Sequence, residues 1–294
     1  MRPLVLLALA AAATLAAEVP PPAGARVTIR IEGDFRVIES NGLPNHATGR
    51  FPSRDNPNPI APMSHAFRAT LRPAVAAAPT PSGHAWFGVA LNGVPLEPGT
   101  QEFWNDDRAS GWTHEAIGGR HDLGIDSSRA HVQPNGAYHY HGWPTGLVAA
   151  LGGEDGRMLL VGWAADGFPI YGMNGLRDPR DLRSGVRPMR SSYRVKAGDR
   201  PSGPSSPGGR HDGDFTQDFE YVEGLGDLDA CNGRFGATPE FPAGIYHYHI
   251  TETFPLISRQ WRGTPNPSFK KRGPPPGVTP RKPRRPDDTR GSGG

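Results

Sequence analysis

The sequence predicts a mainly β protein: a single Gly/Pro-rich domain of short antiparallel strands in a sandwich-like arrangement, with few short helices. Composition is the first reason, because 39 glycines and 33 prolines make up about a quarter of the 294 residues. That proportion favours short strands and many turns over long helices. The second reason is that the apolar segments are of strand length and end at glycine or proline. With 36% apolar residues and six tryptophans, the chain can bury a core.

Residues 1–17 have the organisation of a signal peptide. Arg2 precedes an apolar run at residues 4–13, and the small residues at 15–17 are typical of a cleavage site. That run is too short to span a bilayer, and no later segment is a candidate span. We therefore expect an exported protein, periplasmic or extracellular, without a transmembrane segment in its mature form; a retained N-terminal anchor is the alternative. Cys231 is the only cysteine and cannot form an internal disulfide.

The body of the chain, residues 26–262, is predicted to be one β-rich domain. It opens with an alternating strand at 27–31, a turn at Gly33-Asp34 and a second apolar run at 35–38, the pattern of a β-hairpin. The strongest helix signal is at 215–230, where one short helix is expected.

Three copies of the pattern Asn/Asp-Gly-apolar-Pro mark turns in this domain. They are NGLP at 41–44, NGVP at 92–95 and DGFP at 166–169. Asn-Gly and Asp-Gly favour tight turns, and the proline keeps the preceding residue extended. Apolar runs at 85–91 and 158–165 precede two of these turns and are predicted strands.

The C-terminal segment, residues 263–294, is a basic Pro/Gly-rich tail that we expect to be disordered. It has eight basic and two acidic residues, a net charge of +6, whereas residues 18–262 carry −4. The tail can contact anionic surfaces. In an exported protein such a tail is more often simply solvated, so we do not expect nucleic-acid binding.

Two segments repeat the sequence Tyr-His-Tyr-His, at 138–141 and 246–249. Alternate side chains of a strand share a face, so His139 and His141 lie together on one strand and His247 and His249 on another. Imidazoles at i and i+2 can converge on one ion. The doubling therefore suggests that both strands contribute ligands to a single site. The alternative is that these Tyr and His residues are structural, on polar outer faces or hydrogen-bonded in the core.

Further candidate ligands precede the first copy. We expect His131 to complete the site, because the turn at Gln133–Gly136 can bring it beside the strand. Three protein ligands leave a coordination position open, as in catalytic sites. Asp126 is a candidate to orient a ligand histidine, and Asp122 a loop cap. Imidazole ligands suit a transition-metal ion, and copper, zinc and iron are the candidates.

These motifs resemble those of the bacterial YHYH domain family. The resemblance covers about residues 30–264 and follows one order along the chain: SNGLPNHATGRFP, NGVPLEP, IDSSRAHVQPNGAYHYHGWP, GWAADGFPIYG, SSYRVKAGDRP, the segment from HDGDF to YHYH at 211–249, and TFPLISRQWRGTP. It implies an exported domain in which His139 and His141 match the naming motif. It does not imply a mechanism.

The predicted function is therefore an exported metal-binding protein, with a metalloenzyme as its catalytic version. The chain has no GxSxG elbow, P-loop or HExxH motif. A non-enzymatic envelope or extracellular binding module is the main alternative. Its contacts would be exposed tryptophans, from the set Trp104, Trp112, Trp143 and Trp163. A polysaccharide hydrolase is the last alternative. Its acid–base pair would come from Asp122, Asp126 and Asp166.

Overall fold

A computed structural model describes residues 18–153 and 155–271. The predicted signal peptide and the tail from residue 272 lie outside this range. The described chain is mainly β, as predicted, and its strands are short. They are β1 (Val27–Glu32), β2 (Phe35–Ser40), β3 (His65–Thr70), β4 (Val75–Pro81), β5 (Gly88–Ala90), β6 (Pro95–Leu96), β7 (Ala130–Val132), β8 (Tyr138–Tyr140), β9 (Leu160–Ala164), β10 (Pro169–Tyr171), β11 (Asn174–Leu176), β12 (Val186–Pro188), β13 (Tyr193–Val195), β14 (Phe219–Tyr221), β15 (Gly233–Gly236), β16 (Ile245–His249) and β17 (Gln260–Gly263).

Helices are few and short. Within the described residues there is one α-helix, α1 (Thr145–Ala150), besides 3₁₀ turns at Trp104–Asp106, Arg108–Ser110, Thr216–Asp218 and Pro267–Phe269. The helix predicted in 215–230 is only the third of these turns, because β14 begins directly after it. No helix of the described range is long and apolar enough to cross a membrane.

Eight strands form one large sheet in the order β15-β16-β10-β9-β5-β6-β8-β7. A second sheet has the order β1-β2-β3, and three two-stranded ribbons pair β11 with β12, β13 with β14, and β17 with β4. Most neighbouring strands are antiparallel, as predicted, and two pairs, β6–β8 and β10–β16, are parallel. Parallel neighbours need long connections, and the chain supplies them at 97–137 and 172–244.

Asn/Asp-Gly turns build the centre of the large sheet, as their sequences predict. Gly93 joins β5 to β6 with φ of 81°, and Gly167 joins β9 to β10 with φ of 91°. Both values lie in the left-handed region that glycine adopts at little cost. The predicted hairpin of β1 and β2 is also present, in unbroken register.

The large sheet consists of two halves that have the same strand topology. The strand order is the same from either edge. Each half has an outer hairpin, β15–β16 or β7–β8, whose second strand lies parallel to a strand of an inner hairpin, β9–β10 or β5–β6. The halves meet where β5 pairs antiparallel with β9, with Val89 opposite Trp163, Gly88 opposite Ala164 and Ala90 opposite Gly162. The two Tyr-His-Tyr-His strands, β8 and β16, therefore occupy equivalent places in opposite halves.

Glycine at this centre lets the two halves approach closely. A Cβ on Gly162 would lie 2.4 Å from the carbonyl oxygen of Val89, which is backbone and cannot move aside. We expect Gly162→Ala to lower the free energy of unfolding by about 1–3 kcal/mol, measured by urea denaturation. Gly99→Ala is the matched control, since the nearest atom to its Cβ, in Arg259, is 3.7 Å away. Equal stability of the two variants would contradict this view of the central pair.

The core lies against the large sheet and is rich in aromatic rings. Tyr140 and Tyr248 are fully buried, and Phe87 packs between Tyr248 and Trp261 with ring centroids 5.0 and 5.9 Å away. The packed chain continues past the predicted boundary at residue 262, because Phe269 is also buried. The four tryptophans of the candidate binding surface do not form an exposed patch. Trp163 is buried, and the other three are half-buried: Trp104, Trp112 and Trp143.

Candidate metal centre

The hairpin of β7 and β8 brings three histidines together. His131 on β7 lies directly opposite His139 on β8, and His141 follows β8 by one residue. The turn between the strands is closed by two backbone hydrogen bonds, Gln133 N to Ala137 O and Gly136 N to Gln133 O. Strand alternation then points both histidines of the second strand to the side of His131.

The three imidazoles form a nearly equilateral triangle. The ring centroids of His131, His139 and His141 are 4.7, 4.7 and 4.8 Å apart. One nitrogen from each ring lies within 4.8 Å of the other two. The Nε2 atoms of His131 and His141 are only 3.1 Å apart. Two nitrogen ligands bound about 2.0–2.1 Å from one ion have a similar separation.

Backbone carbonyls determine which nitrogen of two rings is available. The Nδ1–H of His131 donates to the Leu123 carbonyl at 3.0 Å, and that of His139 donates to the Ala137 carbonyl at 3.1 Å. Their Nε2 atoms are therefore the acceptors: that of His131 faces His141, and that of His139 faces the carboxylate of Glu97. His141 Nδ1 is buried without a hydrogen-bond partner among the described residues, so its Nε2 is the nitrogen engaged with His131.

Burial keeps these rings neutral. It lowers the pKa of His131, and lowers the pKa values of His139 and His141 to well below the ordinary value. The neighbouring imidazoles add a smaller effect in the same direction on His139 and His141. A neutral imidazole is the form that binds a metal ion, so the cluster can accept an ion at neutral pH without losing protons from charged rings.

A buried carboxylate, Glu97, lies beside the triangle. Its Oε2 is 3.3 Å from Nε2 of His139 and accepts a hydrogen bond of 2.8 Å from Gln133. Its other oxygen forms an ion pair with Lys271. Burial raises the pKa of Glu97 and the lysine opposes this. Two acceptors at 3.3 Å repel one another unless a proton or a cation lies between them, so this position can hold either one.

Sequence reasoning did not find Glu97 or Lys271. Glu97 reaches the histidines because β6, which ends one residue before it, is the parallel neighbour of β8. Parallel pairing leaves no local signal in the sequence. Lys271 falls in the segment that was predicted to be disordered.

The two aspartates near the first copy have other roles. The Asp126 carboxylate accepts from the Tyr138 hydroxyl at 2.7 Å and from the Gly49 N–H at 3.1 Å. It thus holds a tyrosine of the opposite strand face, and the expectation that it orients a ligand histidine is wrong. Asp122 accepts from the Gly124 N–H at 2.8 Å, in keeping with a loop cap.

The second pair, His247 and His249, does not share this site. It lies on β16, and four strands separate β16 from β8 in the sheet. At about 4.8 Å per strand, this places the two motifs roughly 24 Å apart. The expectation that both pairs converge on one ion is therefore wrong. Strand geometry aligns two imidazoles within each motif, but the order of the strands keeps the motifs apart.

The second pair nevertheless has a similar local arrangement. The Nδ1–H of His247 donates to the Ile245 carbonyl at 3.0 Å, and that of His249 donates to the Gly172 carbonyl at 2.9 Å. Their ring centroids are 5.1 Å apart. Both Nε2 atoms are buried and have no hydrogen-bond partner in the described structure. A second pair of directed imidazole lone pairs is thus present in the other half of the sheet.

A family model described as "YHYH protein" matches residues 66–263. No curated protein and no solved structure matches significantly. The matched region contains the histidine triangle, Glu97 and the second histidine pair.

Proposed function

Because the chain belongs to the YHYH protein family, and the motif of that name supplies two of the three clustered histidines, we propose that it is an exported protein that binds one transition-metal ion. The ligands are the Nε2 atoms of His131, His139 and His141, and the candidate ions are copper, zinc and iron. The observation that supports this most strongly is a cluster of three neutral imidazoles, His139 and His141 buried and His131 half-buried, in which one nitrogen of each ring lies within 4.8 Å of the other two. Export rests on the signal-peptide pattern of residues 1–17.

The alternative, that these histidines are purely structural, explains fewer of the observed contacts. Histidines that serve only the core satisfy both ring nitrogens, or leave one exposed to water. Here His139 Nε2 faces a carboxylate oxygen at 3.3 Å, and the Nε2 atoms of His131 and His141 face each other at 3.1 Å. Leaving such groups unpaired costs about 1–3 kcal/mol each. A bound cation offsets part of this cost.

The metalloenzyme version of the proposal rests on Glu97. A metal ion held by three histidines has open coordination positions and lowers the pKa of a bound water. Glu97 is close enough to His139 to accept a proton from a group bound there, and Gln133 and Lys271 hold its carboxylate in place. These contacts are those of a positioned general base.

The test is metal content. Mature protein is purified from the periplasm without a histidine tag and analysed for its elements, beside His139→Ala/His141→Ala. We expect close to one equivalent of copper, zinc or iron in the parent and almost none in the variant. His247→Ala/His249→Ala is the matched control, with an equal loss of imidazoles from the other half of the sheet, and it should keep the ion. Parent protein that contains no metal and takes up no added copper, zinc or iron would refute the proposal.

A further inference from the structure

The two halves of the large sheet reproduce one another beyond their strand order. In the first half the Tyr138 hydroxyl donates to Asp126, and in the second the Tyr246 hydroxyl donates to Asp229. Each aspartate is the first residue of the same tight turn. The Asp126 N–H donates to Ala130 O at 2.8 Å, and the Asp229 N–H to Gly233 O, also at 2.8 Å.

Two more correspondences fix the residue-by-residue alignment. The residue directly before β7 and the residue directly before β15 both have a positive φ, 55° at Arg129 and 53° at Asn232. Each of these residues also accepts, through its carbonyl, the N–H of the last histidine of its motif, His141 at 2.7 Å and His249 at 3.0 Å. The two motifs therefore lie in the same local frame.

This alignment places Arg234 where the first half has His131. His131 is paired with His139 across β7 and β8, and Arg234 is paired with His247 across β15 and β16. The second half thus repeats two ligand positions of the triangle and changes the third from imidazole to guanidinium.

The surroundings of Arg234 keep its charge near the histidine pair. Its Nη2 donates to the Leu176 carbonyl at 2.7 Å, while its Nε is buried and lacks a hydrogen-bond partner within the described residues. A Cβ built on Gly175 would touch both Arg234 Nη2 and His249 Cε1, each at 2.9 Å. The guanidinium therefore lies within a few ångströms of the His249 ring.

We infer that Arg234 determines the metal stoichiometry of the protein: its guanidinium excludes a cation from His247 and His249, so that only the first half of the sheet binds an ion. This rests on the proposed function for the first site. Arginine offers no lone pair to a metal and stays cationic in proteins. It therefore removes the third ligand and adds a like charge in a buried place, where water screens it poorly.

Restoring the histidine should create a second metal site. The experiment uses the full-length mature protein in the background His139→Ala/His141→Ala, which removes the first site, with and without Arg234→His. Cobalt(II) is the probe, followed by its visible absorption during titration. We expect about one equivalent bound when Arg234→His is present, with an affinity at least about 100-fold higher than in the background variant. Circular dichroism confirms that each variant is folded.

The outcomes separate this inference from the proposed function. If the parent binds one ion and Arg234→His adds no site, the inference is wrong and the proposed function stands. If the parent binds no ion but the Arg234→His variant binds one, the proposed function is wrong and the inference about Arg234 stands. Cobalt bound by the background variant through its native His247 and His249 would also overturn the inference.

A reciprocal exchange covers the case in which Arg234→His does not fold. In the otherwise native chain, His131→Arg is compared with His131→Gln, which removes the same ligand without adding charge. We expect His131→Arg to bind cobalt at least about tenfold more weakly than His131→Gln. Equal affinities of these two variants would show that charge does not exclude the ion.

Discussion

Saturating metal is expected to raise the melting temperature of the metal-free protein by about 8–16 °C. A ligand at a thousandfold excess over its Kd stabilises the folded state by about 4.1 kcal/mol. For a domain of roughly 250 residues, each kcal/mol shifts the melting temperature by about 2–4 °C. The effect should be large because the ion also neutralises the repulsion between His139 and Glu97, whose facing atoms are 3.3 Å apart.

The measurement is thermal unfolding after chelation, with zinc or copper added back in steps. His139→Ala/His141→Ala should lose the whole shift, whereas His247→Ala/His249→Ala should keep it. A shift of equal size in both double variants would mean that the ion binds elsewhere, for example to surface carboxylates, and would exclude the triangle as the stabilising site.

Acid should unfold the metal-free protein between pH 6.5 and about 4. Burial lowers the pKa values of His65 and His247 to about 4 from 6.5. Below pH 6.5 the unfolded chain therefore binds protons that the folded chain does not. The free energy of unfolding decreases as the pH is lowered, until the pH reaches the pKa of the folded state. At pH 5, His65 and His247 each lower the free energy of unfolding by about 2 kcal/mol. His139, His141 and His249, whose pKa values burial lowers further, add to this loss.

Denaturant unfolding at pH 7.5, 6 and 5, with a chelator present, measures this loss. His65→Gln cannot be protonated in this range and should recover about 2 kcal/mol of the difference between pH 7.5 and pH 5. His65 stacks on Phe67, and Trp86 is in ring contact with both His65 and His139, so the variant removes none of the proposed metal ligands. An unchanged pH dependence in His65→Gln would contradict the assignment of the loss to buried histidines.

Local geometry accounts for what the sequence could predict about the site. The two-residue period of a strand places His139 and His141 on one face, and the turn at Gln133–Gly136 returns the chain so that His131 meets them. Both rules act over a few residues. They need no knowledge of the rest of the sheet, and the structure has this arrangement.

Features that depend on strand order could not be predicted in the same way. Glu97 approaches the histidines across a parallel pair whose strands are joined by some forty residues. The separation of the two motifs depends on four strands that lie between them. The exchange of His131 for Arg234 becomes visible only through the strand pairing and hydrogen bonds of the two halves, because the sequences before the motifs, IDSSRAHV and LDACNGRF, share little beyond their aspartate.

All three proposed ligands lie within the eleven residues from His131 to His141, on a single hairpin. A hairpin of this size closes within about 1–10 μs, whereas pairing across long connections is slow. Under the proposed function, a newly made chain can therefore capture its ion through this hairpin before the two halves of the sheet meet. An ion bound in this way would shorten the search for the native register of β7 and β8, so that metal supply would become a factor in how quickly the protein folds.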